Sequence, residues 1–196
     1  MVQINFARKE VNCKIIFYGP GMSGKTTNLE KIYENAPEEN KGELTSIATE
    51  GDRTLFFDLL PLDLGMVAGL RVKLQLYTVP GQVYYSSTRR LVLAGADGVA
   101  FVADSQPSKR DENLESLEDL TSALGSYGTS IDKTPTVLQY NKRDLPGAMS
   151  VAQMDQDLNH WRLARQEAVA VRGEGVLPTL KAMIGMVLTD LQKRFG

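Results

Sequence analysis

The chain has 196 residues, of which 42% are hydrophobic and 23% are charged, as expected of one globular domain with a sizeable core. The formal net charge of −2 provides no electrostatic argument for binding nucleic acid or an anionic membrane surface. Cys13 is the single cysteine, which excludes an internal disulfide and favours a reducing compartment. We therefore expect one cytoplasmic domain over residues 1–196, without a nucleic-acid partner.

Neither end of the chain shows a membrane signal. The first six residues lack a basic region followed by an apolar segment, and no apolar run approaches roughly 18 residues. Position 2 is Val2 rather than the glycine that myristoylation requires, and the last four residues contain no cysteine for prenylation. We expect no direct membrane insertion, so any membrane association would depend on a partner.

Short apolar runs bounded by turn residues predict a series of strands, and apolar residues at helical spacing predict the helices between them. One helix is expected to start within residues 24–26, one to span Leu114 to Leu124, and a closing helix to bury a stripe from Leu177 to Leu191. The predicted strands cover residues 13–18, 55–64, 70–79, 98–103, 136–140 and 167–171, with a short turn joining the second to the third.

Strands that alternate with helices, with one early hairpin, predict an α/β fold. The central sheet is expected to be mostly parallel, with one antiparallel hairpin at its edge and helices on both faces. In sheets of this kind ligands bind beyond the carboxyl ends of the strands. The two motifs described next both follow a predicted strand, so the expected topology would bring them to the same edge.

The first motif is a phosphate-binding loop: residues 19–26, GPGMSGKT, match the pattern G-x-x-x-x-G-K-[ST]. Its glycines let backbone N–H groups approach anionic oxygens, Lys25 reaches the β- and γ-phosphates, and Thr26 offers a hydroxyl to Mg²⁺. The predicted phosphate-side residues are Gly19, Gly21, Met22, Ser23, Gly24, Lys25, Thr26 and Thr27.

The second motif, residues 141–144, has the sequence NKRD and matches N-K-x-D. The carboxylate of Asp144 can accept hydrogen bonds from N1–H and the exocyclic amine of guanine, a donor pair that adenine lacks. We therefore predict that Asn141, Lys142 and Asp144 select guanine. A phosphate loop followed later by N-K-x-D is the order found in small GTPases, so GTP and GDP are the expected ligands.

Between the two motifs lie residues 77–82, YTVPGQ, at the position where Ras-like GTPases carry D-x-x-G-Q. The backbone N–H of Gly81 is expected to sense the γ-phosphate, and Gln82 is expected to orient the attacking water. Thr78 stands where the aspartate would be, and a threonine supplies no negative charge. Retention of Mg²⁺ is therefore expected to depend on Asp58 or Thr54.

Residues 45–58 occupy the position of the first switch segment. Thr54 is the best candidate for the sensor of the γ-phosphate and Mg²⁺. Arg53 beside it is a candidate arginine finger supplied by the same chain, and the alternative is an ordinary solvated loop arginine.

The combination Y-x-G-P-G-x-S-G-K-T-T-N, D-R-T-L-F-F-D, L-Y-T-V-P-G-Q and N-K-R-D-L-P resembles the MglA family of bacterial Ras-like small GTPases over about residues 4–191. The resemblance implies a Ras-like P-loop NTPase fold and a Mg²⁺-dependent GTP/GDP switch acting in gliding motility and cell polarity. It also implies slow intrinsic hydrolysis by Arg53, Gln82 and Lys25, and makes Thr78 a family trait. Residues 168–170 are similar to the loop that packs on guanine, which assigns a backbone contact to Ala170.

The same resemblance implies partners: a Roadblock-fold activator dimer called MglB, and effector proteins that would recruit an otherwise monomeric chain to a cell pole. It further implies that the first hairpin strand shifts on GTP binding. The residues support that hypothesis, because LFFDLLPL at 55–62 is almost continuously apolar and a one-residue slip exchanges one apolar side chain for another. Pro61 lacks a ladder donor and indicates an edge strand.

Two other functions compete with a GTPase. One is a nucleotide-binding scaffold with negligible hydrolysis, against which Gln82 and Arg53 argue. The other is an adenine-using P-loop kinase or ATPase, against which the NKRD segment argues. A single His160 and no Cys/His grouping exclude a Ser/His/Asp triad and give no indication of zinc.

Overall fold

A computed structural model describes residues 3–5, 9–48, 56–67, 69–81 and 85–195. The described strands form one sheet, with α-helices and short 3₁₀ turns between them. The strands are β1 (Gln3–Asn5), β2 (Glu10–Tyr18), β3 (Thr45–Ala48), β4 (Phe56–Val67), β5 (Leu70–Thr78), β6 (Gly98–Asp104), β7 (Thr136–Asn141) and β8 (Ala164–Glu167). The α-helices are α1 (Lys25–Asn35), α2 (Ser86–Leu93), α3 (Arg110–Ser126), α4 (Val151–Leu158) and α5 (Val176–Phe195).

The order of strands in the sheet is β3-β4-β5-β2-β6-β7-β8, and β1 pairs with the start of β2. Strand β2 runs parallel to β5 and β6, and β7 and β8 continue the parallel arrangement. Strand β4 is antiparallel to both β5 and β3. The predicted α/β fold, with a mostly parallel sheet and an antiparallel hairpin to one side, is confirmed.

Helices cover both faces of the sheet, as predicted. Helices α1 and α5 pack on one face through residues such as Leu29 and Val187, whereas α2, α3 and α4 pack on the other through residues such as Leu120 and Met154. Burial on both faces explains why β6 is apolar almost throughout, since every one of its residues is buried. None of the described helices is long and apolar enough to cross a bilayer.

The last strand lies earlier in the chain than predicted. Residues 167–171 were expected to form it, but β8 spans Ala164–Glu167, and a 3₁₀ turn follows at Ala170–Arg172. As the outermost strand β8 is largely exposed, so its ARQE sequence lacks the apolar run on which the prediction depended. Ala168, Val169 and Ala170 are buried instead in the loop beyond the strand, where Ala168 donates its N–H to the carbonyl of Tyr140, whereas Val171 is exposed.

Strand β4 is not the edge of the sheet, contrary to the expectation drawn from Pro61. Strand β3 pairs along its outer side as far as Leu59, and the N–H of Gly42 then donates to the carbonyl of Pro61 at 2.9 Å. The missing proline N–H therefore faces a loop segment rather than a regular strand. The turn that was expected between residues 64 and 70 is shorter than predicted. A register irregularity lies between Asp63 and Met66, and β4 continues to Val67 before β5 begins at Leu70.

Helices α2 and α4 were not predicted, because eight residues give too little periodicity to recognise. The stripe of α5 is also rotated from the predicted one: Leu177 is 37% exposed, while Val176 and Met183 are buried in the core. These differences affect the periphery of the sheet and leave the ends of β2, β6 and β7, where the motifs lie, unaltered.

Candidate functional site

The phosphate-binding loop connects the carboxyl end of β2 to the start of α1, and two of its glycines are required by close contacts. A Cβ on Gly19 would lie 2.2 Å from the carbonyl oxygen of Val102, and one on Gly24 would lie 2.2 Å from Nδ2 of Asn141. Both glycines have positive φ angles, +142° and +106°, as has Met22 at +59°. The loop is thus wrapped against β6 and β7, with Met22 projecting from it, 87% exposed.

Lys25 is folded back onto this loop. Its Nζ donates to the carbonyl oxygens of Gly19 at 2.9 Å and Pro20 at 2.6 Å, and the residue is 7% exposed. Burial and, to a smaller extent, the nearby cation of Arg89 lower the pKa of Lys25 to about 7, although the carboxylate of Asp58 opposes them. The ammonium is therefore held in place by carbonyls of its own loop, at a cost in protonation.

Three hydroxyls converge on the carboxylate of Asp58 in strand β4. Thr26 donates to Oδ2 at 2.7 Å, Ser46 donates to Oδ1 at 2.7 Å, and Thr78 donates to Oδ2 at 2.9 Å. The backbone N–H of Asp58 in turn donates to Oγ1 of Thr78 at 2.9 Å. The negative charge that is absent from position 78 is therefore supplied across the hairpin, directly beside the predicted Mg²⁺ ligand Thr26.

This donor set fits a magnesium ion. Magnesium is usually held by one or two carboxylates together with substrate phosphates and water, and hydroxyls of phosphate loops commonly complete the set. Thr26 and Asp58 supply a hydroxyl and a carboxylate at adjoining positions. In the described part of the chain, no group of three or more His, Cys, Asp or Glu side chains is arranged to hold a metal by itself.

Gly81 lies directly on the phosphate loop. A Cβ at this position would be 2.3 Å from the backbone N of Gly21 and 2.4 Å from the carbonyl carbon of Pro20. Among the described residues, a Cβ on Gly21 would by contrast meet only the carbonyl carbon of Gly81, at 4.0 Å. A cavity of about 640 Å³ between α2 and α3 opens at this contact. The segment that precedes Gln82 is therefore in contact with the loop that would hold the phosphates.

On the other side of the loop, Asn141 at the end of β7 joins two segments. Its Nδ2 donates to the carbonyl of Ser23 at 2.8 Å, and its Oδ1 accepts from the N–H of Ala170 at 2.9 Å. Lys142 follows in the left-handed region, with φ +63°, and its Nζ lies 2.6 Å from Oδ2 of Asp104, which is fully buried. The phosphate loop and the NKRD segment thus belong to one site.

These residues enclose a pocket of about 260 Å³ at the carboxyl ends of the strands. Asp144 lies at its rim, where Arg172 approaches its carboxylate at 3.5 Å. The pocket is open to solvent past Met22 and Val171, which are both exposed. Its lining comprises Met22, Gly24, Thr27, Asn141, Lys142, Asp144, Leu145, Val169, Ala170 and Val171.

Three of the predicted catalytic and metal-binding residues, Arg53, Thr54 and Gln82, lie outside the described residues. Their assignments remain predictions. Asp58, which follows Arg53 and Thr54 in the chain, and Gly81, which precedes Gln82, are both described and both lie at the phosphate loop.

A partly buried ion pair behind the phosphate loop was not predicted from the sequence. Arg89 of α2 donates through Nε to Oδ2 of Asp119 on α3 at 2.7 Å, and Tyr18 donates its hydroxyl to the same oxygen at 2.5 Å. Arg89 also reaches the carbonyl of Pro80 at 3.4 Å. Burial and the bond to Asp119 raise the pKa of Tyr18. Two adjacent arginines, Arg89 and Arg90, are typical of a solvent-exposed surface, and the helix that carries them was not predicted. Nothing in the local sequence therefore indicated that Arg89 pairs with Asp119.

Comparisons with known proteins agree with this geometry. The family model described as the ADP-ribosylation factor family matches residues 2–187. The chain is 53% identical to the mutual gliding-motility protein MglA of Myxococcus xanthus over 97% of each chain. It is 28% identical to ADP-ribosylation factor-like protein 4D of Mus musculus over 89% of this chain and 82% of the relative. It is 29% identical to ADP-ribosylation factor-like protein 6 of Caenorhabditis briggsae over 95% of this chain and 92% of the relative. The chain belongs to the ADP-ribosylation factor family of Ras-like GTPases, and within it to the bacterial MglA family.

Proposed function

We propose that this GTPase switch hydrolyses GTP to GDP and phosphate with Mg²⁺ and controls cell polarity or surface motility through partners that distinguish its two states. The observation that carries the proposal is the Asn141 carboxamide, which is hydrogen-bonded to the phosphate loop at Ser23 and to Ala170 in the loop between β8 and α5. We call this second segment, residues 168–175, the base-side loop. A ligand that fills both parts of such a site has a purine base and a phosphate chain. Asp144 at the rim selects guanine over adenine.

The hydrolysis needs positioning and charge compensation rather than covalent chemistry. Lys25 and the loop amides hold the phosphates, while Thr26 and Thr54 ligate the metal and Asp58 supports it. When bound, Mg²⁺ neutralises charge on the β- and γ-phosphate oxygens. Gln82 orients the water, and Arg53 neutralises the charge that develops in the transition state.

The cellular part of the proposal is supported by the name of the Myxococcus relative, which refers to gliding motility. We infer a cytoplasmic chain with slow intrinsic turnover, monomeric when free, that a Roadblock-fold dimer similar to MglB activates and that polar effectors recruit to a cell pole. Affinity capture with the protein loaded with GTP analogue or with GDP tests this part. Capture of the same proteins in both states would contradict a state-dependent switch.

The choice of base is tested by Asp144→Asn. Loss of the carboxylate is expected to remove most of the preference for GTP over ATP, because each unpaired buried acceptor or donor costs about 1–3 kcal/mol. The preference is measured by letting GTP and ATP compete separately against a labelled guanine nucleotide. Asp111→Asn, a change at a side chain that is 96% exposed on α3, is the matched control and should keep the preference. Equal competition by ATP and GTP for the unaltered chain would end the GTPase proposal.

Hydrolysis is tested with Arg53→Ala and Gln82→Leu in single-turnover assays. We expect both to slow the reaction while GTP affinity stays within a few-fold, since both groups act on the transition state, and an engaged arginine finger contributes about 10³–10⁵ in rate. Gly21→Val should also stop turnover, because a branched side chain there enters the space around the γ-phosphate. The fold should tolerate the change, since a Cβ at this position meets only Gly81 among the described residues, at 4.0 Å. Negligible hydrolysis by the unaltered chain, with activator present, would favour the scaffold instead.

The assignment of Asp58 to metal support is tested by Asp58→Asn, which keeps the shape and removes the charge. We expect about tenfold more Mg²⁺ to be needed for GDP retention, since hydrogen bonds to charged groups contribute about 1.5–3 kcal/mol. Nucleotide release is followed while Mg²⁺ is titrated. Asp63→Asn on the same strand, where the carboxylate pairs with Arg71, is the control and should leave the titration unchanged. An unchanged titration for Asp58→Asn would remove Asp58 from the metal site.

The protonation of Lys25 makes nucleotide binding depend on pH. With a free-state pKa of about 7, the side chain is mostly neutral at pH 8, and anionic phosphates raise its pKa on binding. Binding at pH 8 should therefore take up close to one proton, and affinity should fall as pH rises above 7. Calorimetry in buffers of different ionisation enthalpy measures the uptake. Lys31→Gln, which removes a partly exposed ammonium from the same helix, should retain it, and absence of uptake in the unaltered chain would contradict the prediction.

A further inference from the structure

Three polar side chains are fully buried beneath the phosphate loop. Asn28 of α1, Gln139 of β7 and Thr179 of α5 each have 0% exposure. They lie where helices α1 and α5 pack on the sheet, among apolar residues such as Leu29 and Val176. Polar groups in such a position destabilise the fold unless every one of them is hydrogen-bonded.

Every polar hydrogen of these three side chains is donated within hydrogen-bond distance. Asn28 Nδ2 donates to the carbonyl of Gly24 at 2.9 Å and to Oε1 of Gln139 at 2.8 Å. Gln139 Nε2 donates to Oδ1 of Asn28 at 2.9 Å and to Oγ1 of Thr179 at 2.8 Å. Thr179 donates to the carbonyl of Gly175 at 2.7 Å. The result is a closed and continuous chain of bonds from Gly24 to Gly175.

Both ends of this chain are backbone carbonyls in the two loops that form the nucleotide site. Gly24 is the last glycine of the phosphate loop and is packed against Asn141. Gly175 ends the base-side loop that carries Ala170, and a Cβ there would lie 2.1 Å from the carbonyl oxygen of Glu167. Both loop ends are therefore packed closely against their neighbours. Asn141 joins the same two loops from the ligand side.

We propose that Asn28, Gln139 and Thr179 form a second brace, which positions the phosphate loop relative to the base-side loop and thereby slows nucleotide release. The proposal rests on the guanine nucleotide binding proposed above and deepens it. The three are positioning residues, because they bond to the loops from inside the core and not to the ligand. They should consequently affect how long a nucleotide stays bound without affecting which base is chosen.

The first test replaces the brace by apolar side chains of similar shape: Asn28→Leu, Gln139→Met and the two together. Release of a fluorescent GDP is followed after addition of excess unlabelled GDP, alongside the midpoint of unfolding. Each single variant leaves the other carboxamide with an unpaired oxygen and one unpaired N–H in the core, and should lower the midpoint. The double variant should recover most of the midpoint yet still release GDP about tenfold faster. The side-chain link from the carbonyl of Gly24 to Gln139 is then lost, and only the backbone N–H of Asn28 still donates to that carbonyl, at 3.0 Å. A double variant that releases GDP at the original rate would overturn the proposal.

A milder pair at the far end of the brace guards against variants that fail to fold. Thr179→Ser keeps the hydroxyl and should release GDP at nearly the original rate, whereas Thr179→Val should release it faster. Equal rates for the serine and valine variants would overturn the proposal. The ratio of GTP to ATP affinity should remain unchanged in all of these variants, and a change in that ratio would show that the network acts on the base instead.

Thr136→Val supplies the control for general destabilisation. Thr136 is also fully buried on β7, donates to the carbonyls of Ile131 and Thr134, and lies at the other end of the strand from the site. This variant should lower the midpoint of unfolding without altering GDP release, and faster release here would overturn the proposal. Unaltered protein that binds no guanine nucleotide at all would overturn both the brace and the function on which it rests, and is thereby distinguished from failure of the brace alone.

Discussion

The carboxamide of Asn141 is the contact on which the rest of the nucleotide site depends. Its Nδ2 donates to the carbonyl of Ser23 in the phosphate loop, and its Oδ1 accepts from the N–H of Ala170 in the base-side loop. Both bonds are buried, and Asn141 itself is 2% exposed, so water competes poorly for either. The absence of a side chain at Gly24 follows directly, because a Cβ there would occupy the position of Nδ2.

The cations around this framework are held in place by other groups of the chain. Lys25 is bonded to carbonyls of its own loop, Lys142 to Asp104, and Arg89 to Asp119. Each cation therefore has a fixed geometry in the folded protein, and charges that are oriented in advance stabilise an anion without a further cost of reorganisation. The cost is visible at Lys25, whose pKa is lowered to about 7 by its surroundings.

Features determined by short stretches of sequence were predictable, and features determined by distant pairing were not. The phosphate loop and the NKRD segment could be located because each carries its chemistry within eight or fewer residues between a strand and a loop or helix. Asp58 was only one of two candidates for metal support, since its proximity to Thr26 depends on how β4 pairs with β5. The ion pair of Arg89 with Asp119 joins two helices, one of which was too short to recognise.

The misplaced last strand and the missed buried polar network both arise where tertiary contacts, and not the local sequence pattern, determine which residues are buried. Strand β8 was placed too late because edge strands are polar, and the apolar residues beyond it are buried by tertiary contacts rather than by strand pairing. The brace of Asn28 and Gln139 was missed for the opposite reason, since polar residues in a helix and a strand give no apolar pattern, although both are fully buried. In each case tertiary structure overrides the local pattern.

The position of Asp58 has a thermodynamic consequence for the hairpin. Side chains alternate between the two faces of a strand, so a slip of β4 by one residue would turn the carboxylate away from Thr26 and Thr78. Any affinity that the metal gains from this carboxylate is then, by linkage, a free energy that opposes such a slip. Binding of the ion and the register of β4 would therefore be thermodynamically coupled. A bound ion would stabilise one register of a strand whose apolar sequence specifies that register only weakly.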